Sequence, residues 1–251
     1  MCYNFPMTTE HKKLIYIISV LLLMVSLSYV KGYPKIKGVK SDFFYTVIQP
    51  APLDEIYRGR TDKKQVIFTF DGGSGTQSTR QILSILEKYN IKATFFLTGK
   101  WIENNPFLTI LIKGGGHEIF SHTYNHPYLT RISDNEIREE LRKTNDILFK
   151  LLGINSRPYF RPPYGDRDER VLRIASSEGY QSVYWTVDAL DWMENEGETD
   201  ISVMNRIKDN LSPGTIYLMH LGDNIIGRIL DQAIIDLKND GYEIVSLTEG
   251  L

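Results

Sequence analysis

The fold is indicated first by residues 66–75, which read VIFTFDGGSG. The run Val66–Phe70 consists mostly of β-branched and aromatic residues, which is typical of a buried strand. Asp71 follows the run directly, and the glycines after it allow the backbone to turn sharply and to approach a ligand. The stretch therefore predicts a buried strand that delivers a carboxylate into a tight loop.

Similar strand signals recur along the chain and alternate with helical patterns. Ser133 and Glu136 form a capping-box signature ahead of a helix that reaches about Leu152. A late helix has one apolar face, and Gly241 is expected to end it. The predicted strands share a short, β-rich composition: Val66–Phe70, Thr94–Leu97, Glu118–Phe120, Tyr159–Phe160, Ser182–Val187, Ile216–Met219 and Glu243–Val245.

This alternation predicts a parallel sheet, because parallel neighbours require a crossover connection. The domain that carries it has about 190 residues, which is short for a complete eight-unit barrel of roughly 250 residues. We therefore expect an α/β fold, a distorted or incomplete (β/α) barrel with about seven parallel strands.

Composition limits the classes of function. The chain has 251 residues and a formal net charge of -2, with 42% hydrophobic and 24% charged residues, as expected of a globular protein. There is no basic excess to favour nucleic-acid binding. The single cysteine, Cys2, precedes an apolar leader, so neither a disulfide scaffold nor a cysteine-ligated zinc site is expected.

The amino terminus has the pattern of an export signal. Lys12 and Lys13 precede the uncharged run Leu14–Val30, so residues 1–30 are predicted to be a signal peptide or a signal-anchor transmembrane segment. Both fates stay open, and either puts the rest of the chain outside the cell, anchored to the membrane or secreted. Residues 31–60 are interpreted as a linker that leads into the domain of residues 61–251. No protein partner is evident.

Reactive side chains follow several of the predicted strands. In parallel α/β barrels the carboxyl ends of the strands meet at one rim, where active sites are built. Five separate segments would bring acids, bases and imidazoles to that rim, and this predicts a catalytic site. The residues at the strand ends are Asp71, His122, Arg161, Asp188, Asp191 and His220.

His122 and His126 are four residues apart, so both imidazoles can face one cation if the segment is helical. A metal ion there would polarise a substrate carbonyl and lower the pKa of a bound water. The alternative is a pair of surface histidines on a loop before Pro127.

Asp71 can take a proton from an attacking water or bind the metal, and the alternative is a helix cap. Arg161, in the proline-stiffened turn RPPYG, can orient Asp71 and lower its pKa, or be purely structural. His220 beside Asp191 can stay protonated and donate a proton to a leaving amine, or be a core residue. Trp192 offers a flat face for a sugar ring, or is part of the core.

Taken in order, these segments resemble the polysaccharide deacetylase family, also called the NodB-homology domain or the fourth carbohydrate esterase family. The family motifs are Thr-Phe-Asp-Asp-Gly, His-Ser/Thr-x-x-His, Arg-x-Pro-Tyr or close variants, Asp-x-x-Asp-Trp and Leu-x-His. All five have counterparts here in family order, from Thr69 to His220, and the likeness covers about residues 61–251.

The resemblance implies metal-dependent hydrolysis of the N-acetyl group of N-acetylated glycans, with peptidoglycan or chitin-like oligosaccharides as substrates and acetate as a product. It implies a divalent metal, commonly zinc and sometimes cobalt or nickel. By matching position His122 and His126 look like metal ligands and Asp71 like the catalytic base.

The remaining roles also come from the resemblance. Arg161 would orient the base, and Asp191 would tune His220 as the general acid. The backbone near Tyr164 would help to hold the oxyanion. Substrate contacts would come from residues of the third to fifth motifs: Pro163, Tyr164, Trp192 and Leu218.

One motif departs from the family, because Gly72 stands where the family has its metal-binding aspartate. Three outcomes are open. Asp71 can complete a set of two imidazoles and one carboxylate, as in catalytic zinc sites. Water or another acid such as Asp223 can fill the place, or the metal binds weakly and the protein is inactive. The alternatives to the deacetylase are a non-catalytic cell-surface glycan-binding protein and an acetyl-xylan-type esterase.

Overall fold

The computed structural model describes residues 50–251. The predicted leader of residues 1–30 and the linker up to residue 49 lie outside the described residues. Among residues 50–251, no helix combines the length and the apolar character that crossing a bilayer requires. The last part of the linker runs along the sheet, where Ile56 forms a parallel bridge with Val183 and the Arg60 amide donates to the Gly250 carbonyl.

Strands and helices alternate along the described chain, as the sequence predicts. The strands are β1 Gln65–Gly72, β2 Thr94–Leu97, β3 Glu118–Ser121, β4 Tyr159–Phe160, β5 Gln181–Ser182, β6 Val187–Asp188, β7 Ile216–His220 and β8 Glu243–Val245. The helices are α1 Thr79–Lys88, α2 Gly99–Asn104, α3 Pro106–Gly114, α4 Asp134–Leu152, α5 Glu169–Ser177, α6 Asp200–Asp209, α7 Asn224–Asn239 and α8 Leu247–Gly250.

All strand pairs of the sheet are parallel, in the order β5-β4-β3-β2-β1-β7-β6. The eighth strand, β8, pairs with the first residues of β1. Because β5 and β6 lie at the two ends of this order, the sheet forms an incomplete barrel. The predicted α/β class and distorted (β/α) barrel are confirmed.

The prediction of one continuous strand over Ser182–Val187 is wrong. The segment contains two short strands, and they pair at opposite ends of the sheet, β5 with β4 and β6 with β7. Between them the backbone changes partner from residue to residue, since Val183, Tyr184 and Thr186 donate to carbonyls of three different segments. A β-rich composition reports burial, but it does not report which strand supplies the hydrogen bonds.

Helix boundaries follow the capping signals. The Ser133 side chain accepts from the Glu136 amide, and the Glu136 side chain accepts from the Ser133 amide, which confirms the capping box at the start of α4. Gly153 ends α4 with φ 69°, and Gly241, with φ 81°, lies just beyond α7.

The main core lies around β1, whose residues are all buried. Phe68 meets Tyr217 edge to face with ring centroids 5.8 Å apart, and Phe70 stacks on Phe95 at 5.2 Å. This packing fixes the central strand, and Asp71 lies near its carboxyl end.

Candidate active site

The strand register brings the predicted site residues together. Asp71 on β1 is the direct neighbour of His220 on β7, and β3 pairs with β4 so that the Arg161 amide donates to the Ser121 carbonyl beside His122. A pocket of about 620 Å³ opens at these strand ends. The predicted residues that line it are Asp71, His122, His126, Tyr164, Trp192, Leu218 and His220.

Asp71 and Arg161 form an ion pair beneath the pocket. Both side chains are buried, and Arg161 Nη1 donates to Asp71 Oδ1 at 2.7 Å. The guanidinium also donates to Thr69 Oγ1 and to the carbonyls of Val183 and Tyr184, so it is held rigidly. Burial is the largest single influence and opposes ionisation of Asp71, but the charge and hydrogen bond of Arg161, together with the nearby imidazoles of His122 and His220, outweigh it and hold the pKa of the carboxyl below its ordinary value. The carboxylate is therefore ionised at neutral pH.

The two histidines face each other across the pocket floor, with their Nε2 atoms 3.1 Å apart. His122 Nδ1 lies 2.9 Å from the Arg161 carbonyl, which can only accept, so Nδ1 carries the proton and Nε2 presents a lone pair. Burial lowers the pKa of both imidazoles, that of His126 to about 3, so both are neutral near pH 7. Neutral imidazoles with inward Nε2 atoms are the form in which histidine binds metals.

The spacing of these atoms suits a divalent cation. In a tetrahedral zinc site with Zn–N distances of about 2.0–2.1 Å, neighbouring ligand atoms lie about 3.3 Å apart. The two Nε2 atoms are 3.1 Å apart, and Asp71 Oδ2 lies 3.4 Å from His122 Nε2. Within residues 50–251 no group of three or more His, Cys, Asp or Glu side chains has complete coordinating geometry. The two distances between His122 and its neighbours His126 and Asp71 nevertheless lie close to the spacing of zinc ligands, so the chemistry of these three side chains fits the metal that the family implies.

His220 and Asp191 form the second buried acid–base pair. The His220 amide donates to Asp191 Oδ2 at 2.8 Å, and Nδ1 donates to Oδ1 at 2.9 Å. Burial is the largest single influence and lowers the pKa of the imidazole, but the charge and hydrogen bond of the fully buried Asp191, together with the charges of Asp71 and Asp188, outweigh it and raise that pKa to about 9. His220 is therefore a cation at neutral pH.

The aromatic rim differs in part from the prediction. Trp192 is 45% exposed, so the alternative that it belongs to the core is excluded. Tyr164 is also exposed and has φ 58°, and its ring meets the edge of His126 at 4.4 Å. Pro163 is buried and does not line the pocket, whereas Pro162 does. Which of the two prolines in the RPPYG turn reaches the pocket depends on the backbone conformation of the turn, which composition alone does not specify.

The sequence reasoning missed Trp185 and did not give Asp188 a role. Both line the pocket, Trp185 from the segment between β5 and β6 and Asp188 from the end of β6. The Trp185 ring stacks on Tyr184 at 3.8 Å. Burial raises the pKa of Asp188 above its ordinary value. Asp223, considered as a substitute ligand, also lines the pocket.

Apolar side chains fill the space beside Gly72, the position where the family has its metal-binding aspartate. A Cβ placed on it would lie 2.7 Å from Leu97 Cδ2 and 3.1 Å from Leu221 Cδ1, both buried apolar side chains. A Cβ on Gly73 would instead lie 3.6 Å from His126 Cδ2, in ordinary contact. The space next to Gly72 is thus packed with leucine and does not stand open for a carboxylate.

We expect Gly72→Asp to lower the free energy of unfolding by about 1–3 kcal/mol, because it overpacks a filled apolar space. Urea unfolding at pH 7 measures this. Gly73→Asp introduces the same charge one residue later without the clash, so it is the matched control and should cost less. Equal loss in both variants would contradict the packing argument.

The chain is similar in sequence to known polysaccharide deacetylases. The polysaccharide deacetylase family profile matches residues 58–183. Peptidoglycan-N-acetylmuramic acid deacetylase PdaA of Bacillus subtilis is 34% identical over 196 residues, 78% of this chain and 74% of that protein. A peptidoglycan-N-acetylglucosamine deacetylase of Bacillus cereus is 36% identical over 195 residues, 76% of this chain and 70% of that protein.

Among solved structures, a protein from Bacillus anthracis described as a CE4 family pseudoenzyme is similar, with a TM-score of 0.75 and 34% identity. The match covers 80% of this chain and 69% of that one. A mutant of that pseudoenzyme is described as having restored enzymatic activity. The similar proteins thus include both active and inactive forms of one fold.

Proposed function

The chain belongs to the polysaccharide deacetylase family, and on that premise we propose that it removes N-acetyl groups from peptidoglycan and releases acetate. The observation that carries the proposal is the pair of buried acid–base units, Asp71–Arg161 and Asp191–His220, which face one pocket beside two neutral histidines. A protein that only binds sugar has no need of that set. The predicted leader would deliver the domain to the cell wall.

The metal would be held by His122, His126 and Asp71. A divalent cation, zinc or in its place cobalt or nickel, would supply Lewis-acid polarisation of the acetamide carbonyl. Asp71 can serve as the third ligand in place of the aspartate that Gly72 replaces. Arg161 bonds to Oδ1 of Asp71, and Oδ2 is turned toward His122. This is the first of the three outcomes that Gly72 leaves open.

Two side chains would carry out the proton transfers of the reaction. Asp71, ionised and held by Arg161 through Oδ1, would keep Oδ2 for both the metal and the proton of the attacking water, since a carboxylate oxygen has two lone pairs. His220, kept cationic by Asp191, would donate a proton to the departing amine, and the carbon–nitrogen bond would break to leave acetate and a free amino sugar. The backbone near Tyr164 would stabilise the oxyanion. Trp185, Trp192 and Leu218 would contact the sugar ring and the acetyl methyl group.

A second candidate is a non-catalytic glycan-binding protein on the same fold. The loss of the usual aspartate at Gly72 and the similarity to a pseudoenzyme favour it. It predicts sugar binding that needs no metal and releases no acetate.

The test is acetate release from purified peptidoglycan and from N-acetylglucosamine oligomers. The protein would be stripped of metal and resupplied with zinc, cobalt or nickel. We expect release to be restored by metal in the wild type and lost in His122→Ala, because that variant removes the more deeply buried of the two imidazole ligands. Glycan binding without release, at every metal concentration, would reject the deacetylase and favour the binding protein.

A further inference from the structure

We infer that Glu140, a residue outside all five family motifs, is the positioning residue that holds the turn between His122 and His126 in its metal-binding shape. The inference rests on the proposed function, since it concerns the same two imidazoles. Glu140 lies on α4, 14 residues beyond His126, and it does not line the pocket.

The turn is strained and needs support. Thr123 has φ 63° and His126 has φ 64°, both in the left-handed region that non-glycine residues rarely adopt. Such residues are energetically unfavourable and persist only where the surroundings hold them. The left-handed turn at His126 is part of what directs its ring back toward His122.

Glu140 supplies three hydrogen bonds to this turn. Its Oε2 accepts from the backbone amides of Tyr124 at 2.8 Å and Asn125 at 2.6 Å, and its Oε1 accepts from Asn125 Nδ2 at 2.6 Å. Among the ion pairs of residues 50–251, none uses this carboxylate, so its charge is directed at the turn. Hydrogen bonds from backbone amides to a carboxylate are about twice as strong as neutral ones.

The carbonyl side of the turn is held separately. The amides of Gly99 and Lys100, at the start of α2, donate to the carbonyls of Thr123 and Tyr124. The start of α2 offers amide donors to the turn, whereas Glu140 offers the acceptor for the two consecutive amides of Tyr124 and Asn125. The acceptor is fixed in place because α4 is a capped helix of 19 residues, and the neighbouring Leu141 is fully buried.

The two histidines depend on this support to different degrees. His122 directly follows β3, its amide donates to the Leu97 carbonyl, and its ring is held by the Arg161 carbonyl. Within residues 50–251 the His126 amide donates to Thr123 Oγ1 at 3.2 Å, an acceptor that belongs to the turn itself. Loss of Glu140 should therefore displace His126 while leaving His122 and the ion pair with Asp71 in place.

The experiment measures metal binding directly, by calorimetric titration of the metal-free full chain with zinc and by the visible spectrum of its cobalt complex. We expect Glu140→Ala to weaken zinc binding by about 10–100-fold, the usual effect of removing a group that orients metal ligands. The cobalt spectrum should change, because His126 is displaced. Glu140→Gln keeps one acceptor oxygen for the two amides and should recover most of the affinity.

Glu139→Ala is the matched control, since Glu139 is the exposed neighbour on the same helix. Amide hydrogen exchange at Tyr124 and Asn125 gives a readout that needs no metal, and it should speed up in Glu140→Ala alone. Unchanged zinc affinity in a folded Glu140→Ala protein would overturn the inference, as would equal losses in Glu139→Ala, or a wild type that binds no zinc. A wild type that binds zinc but releases no acetate would reject the proposed function and leave this inference standing.

Discussion

Replacing His220 with alanine is expected to reduce metal-dependent acetate release by about 10²–10⁴-fold, the range that a positioned general acid contributes. The imidazole lines the pocket, and its Nδ1 is occupied by Asp191, which leaves Nε2 to face the substrate. Substrate affinity should change far less than turnover, because proton donation is needed only as the amine leaves. Steady-state kinetics on N-acetylglucosamine oligomers would separate kcat from KM. Full turnover in His220→Ala would reject the assigned role.

The same role has a pH signature. The pKa of His220 is raised to about 9 by Asp191, and the acid must be protonated to act, so activity should fall as pH rises through about 9. Asp191→Asn removes the charge that contributes most to raising this pKa, so the fall should begin at lower pH. A pH profile that is identical in Asp191→Asn would mean that another group supplies the proton.

Replacing Arg161 with methionine is expected to lower the free energy of unfolding at pH 7 by about 3–5 kcal/mol, the usual cost of breaking a buried ion pair on one side. Arg161 is fully buried and Asp71 is 5% exposed, so water cannot replace the lost guanidinium. Urea unfolding followed by circular dichroism measures the change. The larger part of the loss would come from Asp71, which would be left charged and unpaired.

The double variant Asp71→Asn/Arg161→Met is the control, because it removes both charges. It should recover part of the stability that Arg161→Met loses, and an additive loss would show that the ion pair is not the cause. The pH dependence has a definite sign. The pKa of Asp71 is lowered in the folded state, so its contribution to stability is present above the unfolded value near 3.8 and is lost as pH falls through the lower folded value. Arg161→Met should lose this contribution.

The candidate site residues could be placed together from the sequence because strand ends can be recognised locally. The apolar run before Asp71 and the one before His220 mark β1 and β7, and parallel pairing then places both residues at one edge of the sheet. The prediction of a single strand over Ser182–Val187 failed although it used the same signal, a run of β-branched and aromatic residues. Composition reports burial, and here the buried backbone pairs at two opposite ends of the sheet.

By itself the sequence determined the fold class, the residue types at the strand ends and the family, since each depends on the order of residues and their local periodicity. Tertiary structure decided the rest. It turned Oδ2 of Asp71 toward His122, filled the space beside Gly72 with Leu97 and Leu221, and set Glu140 under the histidine turn. These relations join residues far apart in the chain through distances of a few ångströms. Only the packing of the side chains specifies such distances, and no local pattern encodes them.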